Sequence, residues 1–287
     1  MNAPGRRLQQ PGPARPERWL AAEGASRELD FELEPGLTLN TAIAGPLQRA
    51  GIRGATIELS GGAFGPFTYV MPALSTDPHY AAFYSASRAP PGRTAFERGV
   101  VTFGERNGRP FVHCHGVWQE REGRRGGHVM PLDTIVREPI RACAYGTGDA
   151  AFVILPDAET NFALFTPVAA GQVGQGKRLL LLKVQPNEPL DSAILAACRA
   201  HGLRSARIHG LGSLVGAQFA DGRCAPSIAT ELFLGASRVR LEADGEEVDI
   251  EITLVDVDGV IHAGRLAPGN PVCITCELCL VETSAVR

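Results

Sequence analysis

Three histidines have the residue type and spacing best suited to chemistry. The run "FVHCHGVW" (111–118) sets His113 and His115 two residues apart among apolar neighbours, and "RRGGHV" adds His128. On an extended strand, residues two apart project to one face with side chains about 6–7 Å apart. His113 and His115 are therefore expected to bracket a single ion, with Cys114 pointing to the other face. Gly126 and Gly127 permit close backbone approach, and a hairpin across 116–125 would return His128 beside its strand partners. Three neutral imidazoles leave an open fourth position on a tetrahedral Zn²⁺, the arrangement of a catalytic site. Such an ion polarises a carbonyl or lowers the pKa of a bound water to about 7. The expected cofactor is Zn²⁺ or another divalent transition metal. A competing reading treats the three as hydrogen-bonding side chains in a polar pocket or an oligomer interface.

The elements that must position these residues are legible from an internal repeat. Residues 31–65 align with 182–216 without a gap, at a constant offset of 151. Each stretch opens as a short strand and turns at Pro35 or Pro186. It continues as an amphipathic helix closed by Gly51 or Gly202, and returns as a second strand before a glycine-rich turn. In the second stretch Ile194, Leu195 and Cys198 form one apolar stripe, and Gly202 is the helix stop. The later halves pair at an offset of 137, through Gly127 with Gly264 and Pro131 with Pro268. The first copy's extra residues then fall within 69–93. The expected organisation is a disordered Arg/Pro-rich arm (1–27), a domain with the histidines (28–166), a linker (167–177) and a second domain (178–287).

Strand–helix–strand, a glycine turn, H-x-H, a Glu-Gly turn, then G-G-H and Pro131 resembles the PPC domain, also called PCC or DUF296, of plants and prokaryotes. The resemblance covers about residues 28–165 and 178–287, with the metal-binding histidines only in the first copy. It implies an α+β fold, a bent and mainly antiparallel sheet with packed helices, assembled as trimers. It also implies that His113, His115 and His128 hold a metal, usually zinc, as in some prokaryotic members. Plant members bind DNA through an AT-hook; here "ARPER" (14–18) is too thin a match to its R-G-R-P core. A homo-oligomer is expected, with three chains forming a two-tiered trimer.

The second copy serves as an internal control. Asp249, Glu251 and Arg265 stand where the first copy has its histidines. Arginine is no ligand, so a salt-bridged cluster is expected there, with the second domain supplying packing and a wall of the pocket. The first copy's extra segment concentrates His79, Tyr80, Phe83, Tyr84 and Arg88, candidates for stacking on and anchoring a small anionic substrate. An ordinary surface helix is the alternative. Glu58 is the candidate general acid/base. Gly61 and Gly62 offer backbone N–H groups to an anion, or simply permit a tight turn.

Composition bounds the remaining classes. With 44% hydrophobic and 21% charged residues the chain is of globular type, and it has no apolar run long enough to span a membrane. The absence of a signal-like N-terminus and an odd count of seven cysteines favour a cytoplasmic protein with free thiols. Cys273, Cys276 and Cys279 alternate along a predicted strand, which places Cys276 opposite the other two and disfavours a shared ion. Net charge of −3 argues against a broad nucleic-acid surface, leaving Arg6, Arg7, Arg15 and Arg18 as the possible phosphate contacts. The first expectation is a metal-dependent enzyme, a lyase, isomerase or hydrolase acting on a small carbonyl or carboxylate compound. The alternatives are a DNA-binding regulator of the PPC type and a metal-stabilised oligomeric scaffold.

Overall fold

The computed structural model describes residues 6–242 and 245–283. Its first half contains β1 (Trp19–Ala25), β2 (Arg27–Leu33), helix α1 (Leu39–Arg49), β3 (Gly54–Ser60) and β4 (Thr94–Arg106). Next come β5 (Arg109–Glu120), β6 (Gly123–Val129), β7 (Ile140–Thr147) and the hairpin β8 (Ala150–Pro156) and β9 (Ala163–Ala169). The second half contains β10 (Arg178–Val184), helix α2 (Leu190–Ala200), β11 (Ser205–Leu214) and β12 (Thr230–Leu234). It ends with β13 (Glu251–Asp256), β14 (Ile261–Arg265) and β15 (Val272–Glu282).

The two sheets share one strand order. The first runs β2-β7-β3-β4-β5-β6, the second β10-β15-β11-β12-β13-β14. In both, the strand before the helix pairs with the last long strand of the unit, and the strand after the helix lies next. The helices begin at Leu39 and Leu190, the offset read from the repeat. α1 starts where the Thr38 hydroxyl accepts from the Thr41 N–H, and α2 stops at Gly202, whose φ of 62° suits glycine. Each helix buries its apolar stripe on its own sheet, α1 with Ile43 and Leu47, α2 with Ile194 and Cys198.

The mainly antiparallel character is as expected, but "α+β with packed helices" overstates the helical part. Among the described residues α1 and α2 are the only helices, each of 11 residues. None is long and apolar enough to cross a membrane. The 71–88 segment is not a surface helix; it forms a short hairpin, Pro72–Leu74 against Ala82–Tyr84.

The expected disordered arm also needs correcting, apart from residues 1–5, which lie outside the described residues. Leu8 exchanges two hydrogen bonds with the Asn187 side chain, at 2.8 and 2.9 Å, and Gln10 donates to the Cys273 carbonyl at 2.9 Å. β1 then pairs in register with β10, Trp19 opposite Val184, on the edge of the second sheet. The physical reason is twofold. Trp19 and Ala21 pack on the second core, and the strand caps an edge that would otherwise leave its backbone unpaired. Polar Pro/Arg composition hid this, because apart from a few apolar contacts such as Trp19 and Ala21 the arm is held by backbone and Asn187 hydrogen bonds.

The halves meet face to face. Val100 and Val117 of the first sheet pack on Leu211 and Phe233 of the second. Beside this plug, Lys183 on β10 donates to Asp157 at 2.7 Å, with both side chains at most 5% exposed.

Candidate metal centre

One rung of the first sheet carries most of the polar chemistry. Cys143, Glu58, Val100, His115 and His128 lie opposite one another across β7, β3, β4, β5 and β6. Directly opposed residues share a face, so Glu58 points the same way as His115. Val100 stands between them, however, and Glu58 instead accepts from His209 Nδ1 at 2.7 Å. Glu58 is therefore not placed beside the histidines, and the general acid/base assignment made from its strand position is corrected.

The β5–β6 hairpin does bring the histidines together. His113 and His115 share a face of β5, and His128 sits opposite His115. Gly127, at φ 153°, makes this possible, since a Cβ there would lie 2.5 Å from the Val70 carbonyl oxygen. The ring centroids of His113 lie 4.5 Å from His115 and 4.8 Å from His128.

The second half completes the cluster from across the interface. Glu231 on β12 places its carboxylate against His115 Nε2. The ligand atoms of His113, His115, His128 and Glu231 all lie within 4.8 Å of one another. Ligand atoms on a tetrahedral zinc ion are about 3.3–3.4 Å apart, so these four donors are close enough to converge on one ion after side-chain adjustment. Glu277 on β15, 1% exposed, accepts from His113 Nδ1 at 3.0 Å, and the Leu232 carbonyl accepts from His115 Nδ1 at 2.8 Å.

These anchors fix the tautomers. With both Nδ1 atoms donating, both Nε2 atoms carry lone pairs in the neutral rings, yet they lie 2.9 Å apart. At that separation the two nitrogens share either a proton, one ring then being an imidazolium beside Glu231 and Glu277, or a metal ion. His128 Nδ1 is buried without a hydrogen-bond partner, a further group that a ligand would satisfy. Burial, joined by the neighbouring His113 and His115, holds the His128 pKa well below the usual imidazole value. Burial also pulls His113 down, but the carboxylates of Glu277 and Glu231 outweigh it and raise that pKa.

Glu277→Gln is expected to weaken metal binding about 10- to 100-fold, the usual cost of losing a carboxylate behind a ligating imidazole. The amide keeps a hydrogen-bonding group in place, so the fold should persist. Competition with a chromogenic zinc chelator measures it, and an affinity equal to the parent chain would remove Glu277 from the site.

A cavity of about 60 Å³ adjoins the cluster. Its walls include Phe83, Tyr84, Phe162, Ser213, Glu231 and Thr275, and His113 and His115 reach it. The Tyr84 ring lies 5.0 Å from that of His128, and Tyr80 supports the wall by packing on Phe83 and Phe162. The other substrate candidates do not line it. His79 is exposed and bonded to Asp77, Arg88 pairs its backbone with Tyr69, and Gly61 and Gly62 serve the turn after β3 at φ 72° and 73°. Each lies where local turn geometry, not the cavity, sets its conformation. Among the described residues no arginine lines the cavity.

Glu231 and Glu277 went unread in the sequence because both cross from the other half. Each is, however, an acidic residue inside an apolar run, "TELFL" and "CITCELCLVE". A buried carboxylate must be paired, and that signal was available. The neighbouring thiols play no such part: burial pushes Cys273 and Cys276 up to about 12, so both stay protonated. In the second half Arg265 faces Glu251 across β13–β14 and contacts Asp249, which also lies 3.5 Å from Arg238.

No protein-family model matches the chain, and no curated protein matches it by sequence. Solved structures do resemble it over about half its length. A plant- and prokaryote-conserved (PPC) protein of Pyrococcus horikoshii is 18% identical with a TM-score of 0.40, covering 53% of this chain and 97% of its own. A protein of Bacteroides thetaiotaomicron described as DNA-binding is 16% identical with a TM-score of 0.32, covering 37% and 79%. A metal-containing protein of Archaeoglobus fulgidus is 18% identical with a TM-score of 0.39, covering 48% and 92%.

Proposed function

We propose that the chain is a PPC-type protein whose tandem domains, 28–166 and 178–287, share one divalent transition-metal site, with zinc the first candidate. His113, His115 and His128 would hold the ion, and Glu231 would be the fourth donor. The observation that carries this reading is the convergence of four donor atoms within 4.8 Å, with the two Nε2 atoms 2.9 Å apart and an acceptor at each Nδ1. When bound, the ion would polarise a carbonyl or carboxylate oxygen, or acidify a water. Phe83, Tyr84 and Phe162 would exclude bulk water from the reacting group. On this basis we infer a metal-dependent enzyme acting on a small carbonyl or carboxylate compound.

A second reading rests on Glu231 itself. Four protein donors fill a tetrahedral ion, which is the pattern of a structural site. Cobalt(II) substitution separates the two. An enzyme site should show a visible spectrum that changes when imidazole is added; a closed, purely structural site should show one that does not. The regulator reading would rest on Arg6, Arg7 and Arg15, since Arg18 is paired with the buried Glu159 at 2.9 Å.

A further inference from the structure

The cavity beside the cluster carries information about what it would hold. Thr275 lies on β15 two residues before Glu277, so both face the first sheet. It lines the cavity, is 4% exposed, and its Oγ1 is buried without any hydrogen-bond partner. Leaving a hydroxyl in that state costs about 1–3 kcal/mol, so a ligand that engages it gains in proportion.

Charge and size narrow the occupant further. Among the described residues no lysine or arginine lines the cavity, while Glu231 borders it and Glu277 lies behind His113. With a divalent ion and neutral imidazoles, these two carboxylates already balance the local charge. An added anion would sit beside Glu231 with no further cation to offset it. A water takes about 10–15 Å³ of such space, so the cavity suits roughly four to six heavy atoms. The walls at Phe83, Phe162 and Ile274 are apolar.

We infer that the cavity takes a small uncharged molecule with one carbonyl oxygen and a compact apolar body, oriented by a hydrogen bond to Thr275. This rests on the metal reading above and narrows it, excluding the carboxylate class. Isobutyramide and isobutyrate test it, because they have the same shape and differ in charge.

The full chain is loaded with cobalt(II), and its visible spectrum is titrated with each probe. Isobutyramide is expected to shift the spectrum at a concentration at least about tenfold lower than isobutyrate, as like-charge juxtaposition penalises the anion. Thr275→Val should require about fivefold more isobutyramide, and Thr275→Ser should recover most of that loss. Three results overturn the inference while the metal site stands: isobutyrate acting at equal or lower concentration, neither probe acting, or Thr275→Val titrating like the parent chain. A chain that takes up no cobalt overturns the metal reading, and this inference with it.

Discussion

The His128→Ala chain is expected to remain folded and to lose metal. His128 Nδ1 makes no hydrogen bond, and its Tyr84 neighbour is a ring contact, so truncation orphans no buried partner. The metal-free protein should therefore lose only about 1 kcal/mol of stability, as for an ordinary substitution. Metal affinity should fall far more. Zinc sites supply about 10–16 kcal/mol in all, so removing one of four donors costs roughly 3 kcal/mol, or on the order of a hundredfold. The comparison needs a chelator competition beside a thermal melt of the stripped protein. Parent and variant affinities within a factor of about three of one another, on the same scale, would show that His128 is no ligand.

Asp157→Ala should produce the largest loss of stability, about 3–5 kcal/mol, because it leaves the Lys183 ammonium buried without its counter-charge. Asp157 follows β8 of the first half and Lys183 lies on β10 of the second, so the pair ties the halves together. Lys183 is also directly opposite Glu277 in the β10–β15 register, one rung from the candidate metal site. A double variant, Asp157→Ala with Lys183→Met, should regain most of the loss, since no unpaired charge remains. Urea unfolding measures all three chains, and a single-variant loss below about 1 kcal/mol would show the pair to be dispensable.

The same pair predicts a direction with pH. Burial alone would raise the Asp157 pKa, but the Lys183 ion pair and the Thr160 hydrogen bonds outweigh it and hold the carboxyl below its ordinary range. A depressed folded-state pKa contributes stability in full above the unfolded value of about 3.9, and loses it as pH falls through the folded value. Acid unfolding of the parent chain should therefore have a contribution below about pH 4 that the double variant lacks.

The parts of the site that were legible in the sequence are those set by local geometry. Two histidines two apart on a strand must share a face, and a glycine-rich hairpin of fixed length must return the third beside them. The helix stop at Gly202 was readable for the same reason. Glu231 and Glu277 depend on how one sheet packs on the other, which no local periodicity encodes. Glu58 shows the opposite failure: it shares the face of His115, yet the width of β4 and the Val100 side chain put it beyond reach of the histidines. The arm was misread because composition reported its polarity and not the Asn187 and β10 partners that order it. Fold class was legible in its antiparallel part and overstated in its helices, since two short helices recur in a sequence otherwise built of strands.

One ion is expected between the two halves, held by residues of both. A crystal structure of the protein purified without added metal, with anomalous difference maps on both sides of the zinc absorption edge, tests it most directly. One peak is expected, bonded to His113, His115 and His128 nitrogens and to a Glu231 oxygen. No peak there, or a peak held by the histidines with Glu231 turned away, would contradict it.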